Sequence, residues 1–187
     1  MTINEWSDAT AMAEAVQNKM VSPRELVEAT IREAERTNPK INAIVSQRYE
    51  KALKEAETRD FSERPFAGVP IFLKDLGQEQ AGEPSTAGSR LFTSYRATET
   101  DNYVKKLEKL GFIILGRSST PEFGFKNISD AQIHGPVNLP DDVTRNAGGS
   151  SGGAAALISS GISPLAPASD GGGSIRKIGR ASCRERV

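Results

Sequence analysis

The sequence predicts an α/β fold, a mixed and largely parallel sheet flanked by helices. Three observations carry that expectation. Segments with helical periodicity alternate with apolar runs too short to be helices, and Gly, Pro or Asn bounds those runs. The order helix-then-strand recurs along the chain, as crossover connections of a parallel sheet require. An apolar content of 37% over 187 residues suffices for one buried core, and no run approaches the length of a membrane span.

Taken in order, residues 8 to 20 are expected to form a first helix. A second is announced by Ser22-Pro23-Arg24-Glu25, with serine as N-cap, proline at the first helical position and glutamate three residues after the cap. Val27, Ile31 and Ala34 recur at helical spacing, Leu26 and Ala29 widen the stripe, and Asn38-Pro39 is expected to stop it. Ile41 to Val45 suits a short strand, and Arg48 to Arg59 a charged helix. Gly68-Val69-Pro70-Ile71-Phe72-Leu73 reads as a buried strand ending at Lys74. Thr98 and Asp101 are placed to cap a helix through Leu110, Gly111 to end it, and Phe112 to Leu115 to form the next strand. A last helix-then-strand unit is expected over residues 152 to 168, with Gly161 ending the helix and Leu165 beginning the extended part. One domain is expected over residues 1–177, with residues 1–60 as a helical layer outside the sheet.

Bulk charge excludes several classes of partner. Twenty-four basic and twenty-four acidic residues cancel, and no aromatic-plus-basic strip is present, so a small molecule is expected rather than nucleic acid or a membrane surface. The opening MTINEWSDATAMAEAV has no basic start followed by an apolar stretch, from which a cytoplasmic protein is expected. A single cysteine excludes an internal disulfide framework. It lies in IGRASCRERV, residues 178–187, which reads as the translation of a sequencing adapter. The expectation is therefore a protein whose own sequence is cut short near Arg176, with no functional meaning for Cys183, Arg184 or Arg186.

Chemistry concentrates in three places. Lys74 follows an apolar run, where desolvation would lower its pKa toward that of a neutral base, although a snorkelling structural lysine is the plainer reading. Gly148-Gly149-Ser150-Ser151-Gly152-Gly153 precedes a helix and fits neither a P-loop nor a dinucleotide fingerprint, so by itself it is a loop. Asp170-Gly171-Gly172-Gly173-Ser174 sets a hydroxyl behind three residues without Cβ, which allows a tight turn with several N–H groups aimed at one spot. His134, the sole histidine, lies in IHGPVN and reads as an ordinary loop residue, and no metal-ligand cluster is visible. Ser174-Ile175-Arg176-Lys177 matches S-x-x-K, but the partner motifs of that pattern are absent.

Together these stretches resemble the amidase signature family. GGSSGGAAALISSGISPLAPASDGGGSIR looks like its signature, and Gly68 to Asp75 like the strand that carries its lysine. The order lysine, GGSS, GGS and the twenty-four residues from Ser150 to Ser174 also match. The resemblance implies Ser174 as nucleophile, Ser150 as a bridging serine beside a cis peptide bond and Lys74 as base. It implies an oxyanion hole from the amides of Gly171, Gly172, Gly173 and Ser174, and supporting hydrogen bonds from Ser151, Asp170 and Arg176. It further implies hydrolysis of a carboxylic amide without cofactor or metal, a small-molecule amide substrate, and a homodimer of the full-length protein. Lys74-Asp75-Leu76 departs from the K-D-N expected of tRNA-dependent amidotransferase subunits, and the chain looks more like the branch named for 6-aminohexanoate cyclic dimer hydrolase. In that branch Asn127 falls where substrate is contacted, although a loop asparagine is also a turn former. Asn138-Leu139-Pro140-Asp141 departs from the usual N-P-W-type run. An amidotransferase-like subunit, and a truncated chain without activity, are the alternative expectations.

Overall fold

The computed structural model describes residues 8–176. Helix α1 spans Ala9–Gln17, shorter than expected, and Asp8 caps it by accepting from the Ala11 N–H at 2.9 Å. Helix α2, Pro23–Ile41, begins on the expected capping box: the Ser22 N–H donates to Glu25 at 2.8 Å and the Glu25 N–H to Ser22 Oγ at 3.2 Å. Such a cap contributes about 1 kcal/mol.

Pro39 does not stop α2, which runs on to Ile41 and ends at Asn42 in the left-handed conformation. Pro39 has no N–H to offer the Glu35 carbonyl four residues earlier, and Glu35 is an exposed residue, so a proline in the last turns is tolerated. Ile41 is thereby helical, and strand β1 is Ile44–Gln47 rather than a segment beginning at Ile41. Asn38 builds the junction, its Oδ1 accepting from the N–H groups of Ala43 and Ile44, each at 2.8 Å.

Helix α3, Tyr49–Thr58, strand β2, Pro70–Lys74, helix α4, Asn102–Leu110, and strand β3, Ile113–Ser118, follow in sequence. Gly111 ends α4 in the left-handed conformation, as expected. Asp101 sits at its N-terminus but spends its side chain on the Glu79 N–H at 2.7 Å. The three strands form one mixed sheet in the order β1-β3-β2, with β2 parallel to β3 through α4 and β1 antiparallel to β3. In register, Pro70 faces Ile113 and Lys74 faces Ser118. A two-stranded hairpin, β4 (Asp130–Ala131) with β5 (Gly135–Pro136), and helix α5, Gly152–Ser159, complete the described elements.

No strand follows α5 among the described residues. Pro164 and Pro167 remove two ladder donors from that stretch, so it runs as irregular extended chain.

Alternation along β2 and β3 sorts the core into two layers. Phe72, Ile113 and Leu115 pack with α2, α3 and α5, whereas Ile71, Leu73 and Ile114 pack with α1 and α4. Lys74 shares the parity of Phe72, so the strand presents it to the layer that contains α5.

Candidate active site

Lys74 is the last residue of β2 and has no exposed surface. Its backbone is held on both sides: its N–H donates to Gln78 Oε1 at 2.7 Å, and Arg117 Nη1 donates to its carbonyl at 3.2 Å. Arg117 also donates to the Gln78 carbonyl at 2.9 Å. Burial pushes the Lys74 ammonium down from 10.5 to about 8, with the Asp170 carboxylate opposing the shift.

The GGSS loop meets this lysine because α5 is pressed against the C-terminal end of β3, the central strand. A Cβ at Gly153 would collide with the backbone of Ser119, and the Gly153 N–H donates to the Ser119 carbonyl at 3.2 Å. One residue earlier, the Gly152 N–H donates to Ser129 Oγ at 3.1 Å. The Gly149–Ser150 peptide bond is cis.

Three side chains then form an unbroken line. Lys74 Nζ donates to Ser150 Oγ at 2.8 Å, and Ser150 Oγ donates to Ser174 Oγ at 2.8 Å. Ser150 and Ser174 are 4% and 6% exposed, so most of the line is withdrawn from bulk water while its end can still be approached.

Ser169 is a member that sequence reading missed. Lys74 Nζ donates to its Oγ at 2.8 Å as well. Ser151 holds Ser169 in turn, donating to its carbonyl at 3.2 Å and accepting from its N–H at 3.4 Å. A serine in a Pro/Ala run carries no periodic signal, and the only hint was its place beside Asp170.

Asp170 organises the glycine turn. Its carboxylate accepts from the N–H groups of Gly173 at 2.6 Å, Ile175 at 3.2 Å and Arg176 at 3.4 Å, and from Arg176 Nε at 3.1 Å. The Arg176 guanidinium first, then these N–H groups against partial burial, holds the Asp170 carboxyl well below the usual carboxylate range. The Gly173 N–H, expected in the oxyanion hole, donates to Asp170 in this structure. Gly171 and Gly172 are exposed on the same turn.

Asn127 is exposed, on a segment whose backbone packs against Gly149. His134 is not an ordinary surface residue: its side chain is 15% exposed, and its Nε2 lies 3.1 Å from Thr86 Oγ1 and 3.9 Å from Asp75 Oδ2. No group of His, Cys, Asp and Glu suited to a metal ion occurs among the described residues. None of the described helices is long and apolar enough to cross a membrane.

Residues 25–177 match the family model described as Amidase. The chain is 41% identical over 174 residues to lipoamidase of Enterococcus faecalis, covering 92% of this chain and 24% of that protein. It is 38% identical over 173 residues to 6-aminohexanoate-cyclic-dimer hydrolase of Paenarthrobacter ureafaciens, covering 91% of this chain and 34% of that one. A solved structure of 6-aminohexanoate cyclic dimer hydrolase with substrate superposes with a TM-score of 0.88 at 37% identity, over 93% of this chain and 36% of that chain. A bacterial aryl acylamidase of the amidase signature family superposes at 0.86 with 38% identity, over 93% and 37% of the two chains. The chain belongs to the amidase family. It spans about a quarter to a third of the length of these curated relatives.

Proposed function

We propose that this chain carries the nucleophile and base of an amide hydrolase that works through an acyl-enzyme on Ser174. The observation that supports this most is the line from Lys74 through Ser150 to Ser174, with both steps at 2.8 Å. Hydroxyl protons rotate freely between such partners. When both turn, Ser174 donates to Ser150 and Ser150 to the lone pair of neutral Lys74. Ser174 Oγ then bonds to the amide carbon as its proton passes to Ser150 and the Ser150 proton to Lys74. The carbonyl π electrons move to oxygen, which the N–H groups of Gly171, Gly172 and Ser174 receive. On collapse the C–N bond breaks and the amine leaves with the proton returned through Ser150. Water, deprotonated by the same route, bonds to the acyl carbon; the ester bond to Ser174 Oγ then breaks, Ser174 takes the proton back through Ser150, and the acid is released.

Ser151 acts in this reading by fixing Ser169, and Asp170 with Arg176 by shaping the turn that bears Ser174. Asn127 is assigned to substrate contact on the strength of its neighbourhood to Gly149. The substrate is a non-peptide carboxylic amide, small and linear or cyclic, in keeping with the similarity to lipoamidase, 6-aminohexanoate-cyclic-dimer hydrolase and an acylamidase. A cytoplasmic location is part of the same proposal, supported by a sequence with one cysteine, which needs no oxidising compartment.

Labelling by a fluorophosphonate probe tests the assignment. In the complete protein Ser174 is expected to be labelled, and Ser174→Ala to lose the label. Undiminished labelling of Ser174→Ala removes Ser174 from the role.

A further inference from the structure

A buried carboxylate lies one residue beyond Lys74 and outside the proposed proton path. Asp75 is 1% exposed and accepts from the Thr86 N–H at 3.0 Å, Thr86 Oγ1 at 2.5 Å and the Gly88 N–H at 3.5 Å. The one hydroxyl proton of Thr86 is thereby committed to Asp75. Every other polar atom on Thr86 Oγ1 must then be a donor. One is the Gly88 N–H at 3.2 Å, and the other is His134 Nε2 at 3.1 Å. His134 therefore carries its proton on Nε2 in the neutral ring, and the line runs from His134 through Thr86 to Asp75.

The segment that supplies His134 also grips the other half of the site. Ser129, just before β4, accepts from the Gly152 N–H on its Oγ and donates its own N–H to the Gly148 carbonyl at 2.9 Å, so it holds the GGSS loop on both sides of Ser150. His134 lies in the turn between β4 and β5, and Asn42 fastens that turn to the end of α2 through the carbonyls of His134 at 2.8 Å and Pro136 at 3.0 Å. One short segment thus touches the loop of Ser150 with Ser129 and, with His134, the Thr86 hydroxyl that is bonded to Asp75, the residue after Lys74.

We propose that His134 is a positioning residue: through Thr86 and Asp75 it ties the end of β2 to the β4–β5 hairpin and so sets the separation of Lys74 Nζ from Ser150 Oγ. The inference rests on the reading of Ser174 as the nucleophile. Asp75 is the charged group that faces His134. Asp75 in turn is faced by the field of Arg117 from β3 and follows Lys74 in the chain.

The test follows the second-order rate of fluorophosphonate labelling against pH, which needs no substrate. His134→Leu and Thr86→Val break the line, while His134→Gln keeps a donor near Nε2 and Thr86→Ser keeps the hydroxyl. The first pair is expected to label roughly tenfold to a hundredfold more slowly at the plateau, as misplacement of reacting groups by a fraction of an ångström to one ångström does. Their inflection should also move to higher pH, because a loosened strand end admits water to Lys74. The second pair should stay close to wild type in both. The proposal is overturned if His134→Leu and Thr86→Val keep the wild-type plateau and inflection, or if all four variants slow only in proportion to lost thermal stability. Labelling that persists in Ser174→Ala is a separate result, and overturns the Ser174 reading itself.

Discussion

Consider the labelling rate of Ser174 as the pH is raised from 7 to 11. Only neutral Lys74 can take the relayed proton, and burial places its pKa at about 8. The neutral fraction is then about one tenth at pH 7 and about nine tenths at pH 9. The rate should rise roughly tenfold over that interval and level off above it. A lysine at its ordinary value of about 10.4 would give a nearly hundredfold rise over the same interval and no plateau below pH 10. The measurement is the second-order rate constant for fluorophosphonate labelling at half-unit pH steps, with Lys74→Ala as the control that should remove the inflection. A curve still climbing at pH 10, or an inflection near 8 that survives in Lys74→Ala, refutes the argument that burial makes this lysine the base.

Other expectations follow from the same geometry. Ser169→Ala removes an acceptor that favours the charged form of Lys74, so the inflection should move below the wild-type value, read from the same profile. Lys74 also couples pH to stability: its folded pKa lies below its unfolded one, so the unfolded chain binds more protons between about 8 and 10.5 and stability rises with pH across that window. The span is worth about 3 kcal/mol, and chemical denaturation of the wild type against Lys74→Met should show the rise in the wild type alone. Arg117→Met strips partners from the carbonyls of Lys74 and Gln78 and should cost about 1–3 kcal/mol in the same assay. Gly153→Ala forces a Cβ into the Ser119 backbone. It should destabilise by about 1–3 kcal/mol and slow labelling as α5 is pushed from the sheet.

The readable parts of the fold were those governed by neighbours in sequence. The capping box at Ser22, the left-handed stop at Gly111 and the apolar run into Lys74 are local signals, and each has its counterpart in the structure. Pro39 is a stop signal by residue type, but it falls in the last turn of α2, where Glu35, four residues earlier, is exposed. After α5 the apolar residues signal a strand, but Pro164 and Pro167 deny it a ladder. At the site, Lys74, Ser150 and Ser174 could be picked out from glycine and serine spacing together with the family resemblance, and the structure brings them into line. Ser169, Ser129 and His134 could not, since each acts through a partner far away in the chain. The committed N–H of Gly173 depends on which way the Asp170 side chain folds back, and no spacing rule reports that.

The placement of the site also explains why so much glycine was required. Lys74 arrives on the α5 side of the sheet because it shares the parity of Phe72, and its side chain must find Ser150 at the mouth of a helix lying directly on β3. A helix can come that close to a strand exit only where its first residues have no Cβ, which is the situation of Gly152, beside Ser129 Oγ, and Gly153, beside the Ser119 backbone. Ser174 reaches Ser150 from a turn that Asp170 gathers with three backbone N–H groups. Two of the three side chains in the line therefore sit on loops, and a 2.8 Å step between loop serines survives only if both loops are tied to something rigid. For Ser174, Asp170 closes the turn on itself, and the tie is Ser169, bonded to Lys74 at the end of β2 and to Ser151 at the start of α5. For Ser150 it is the close seating of α5 together with the grip of Ser129, and this dependence on packing outside the triad is why substitutions at Gly153 or His134 should register in the chemistry of Ser174 without touching it.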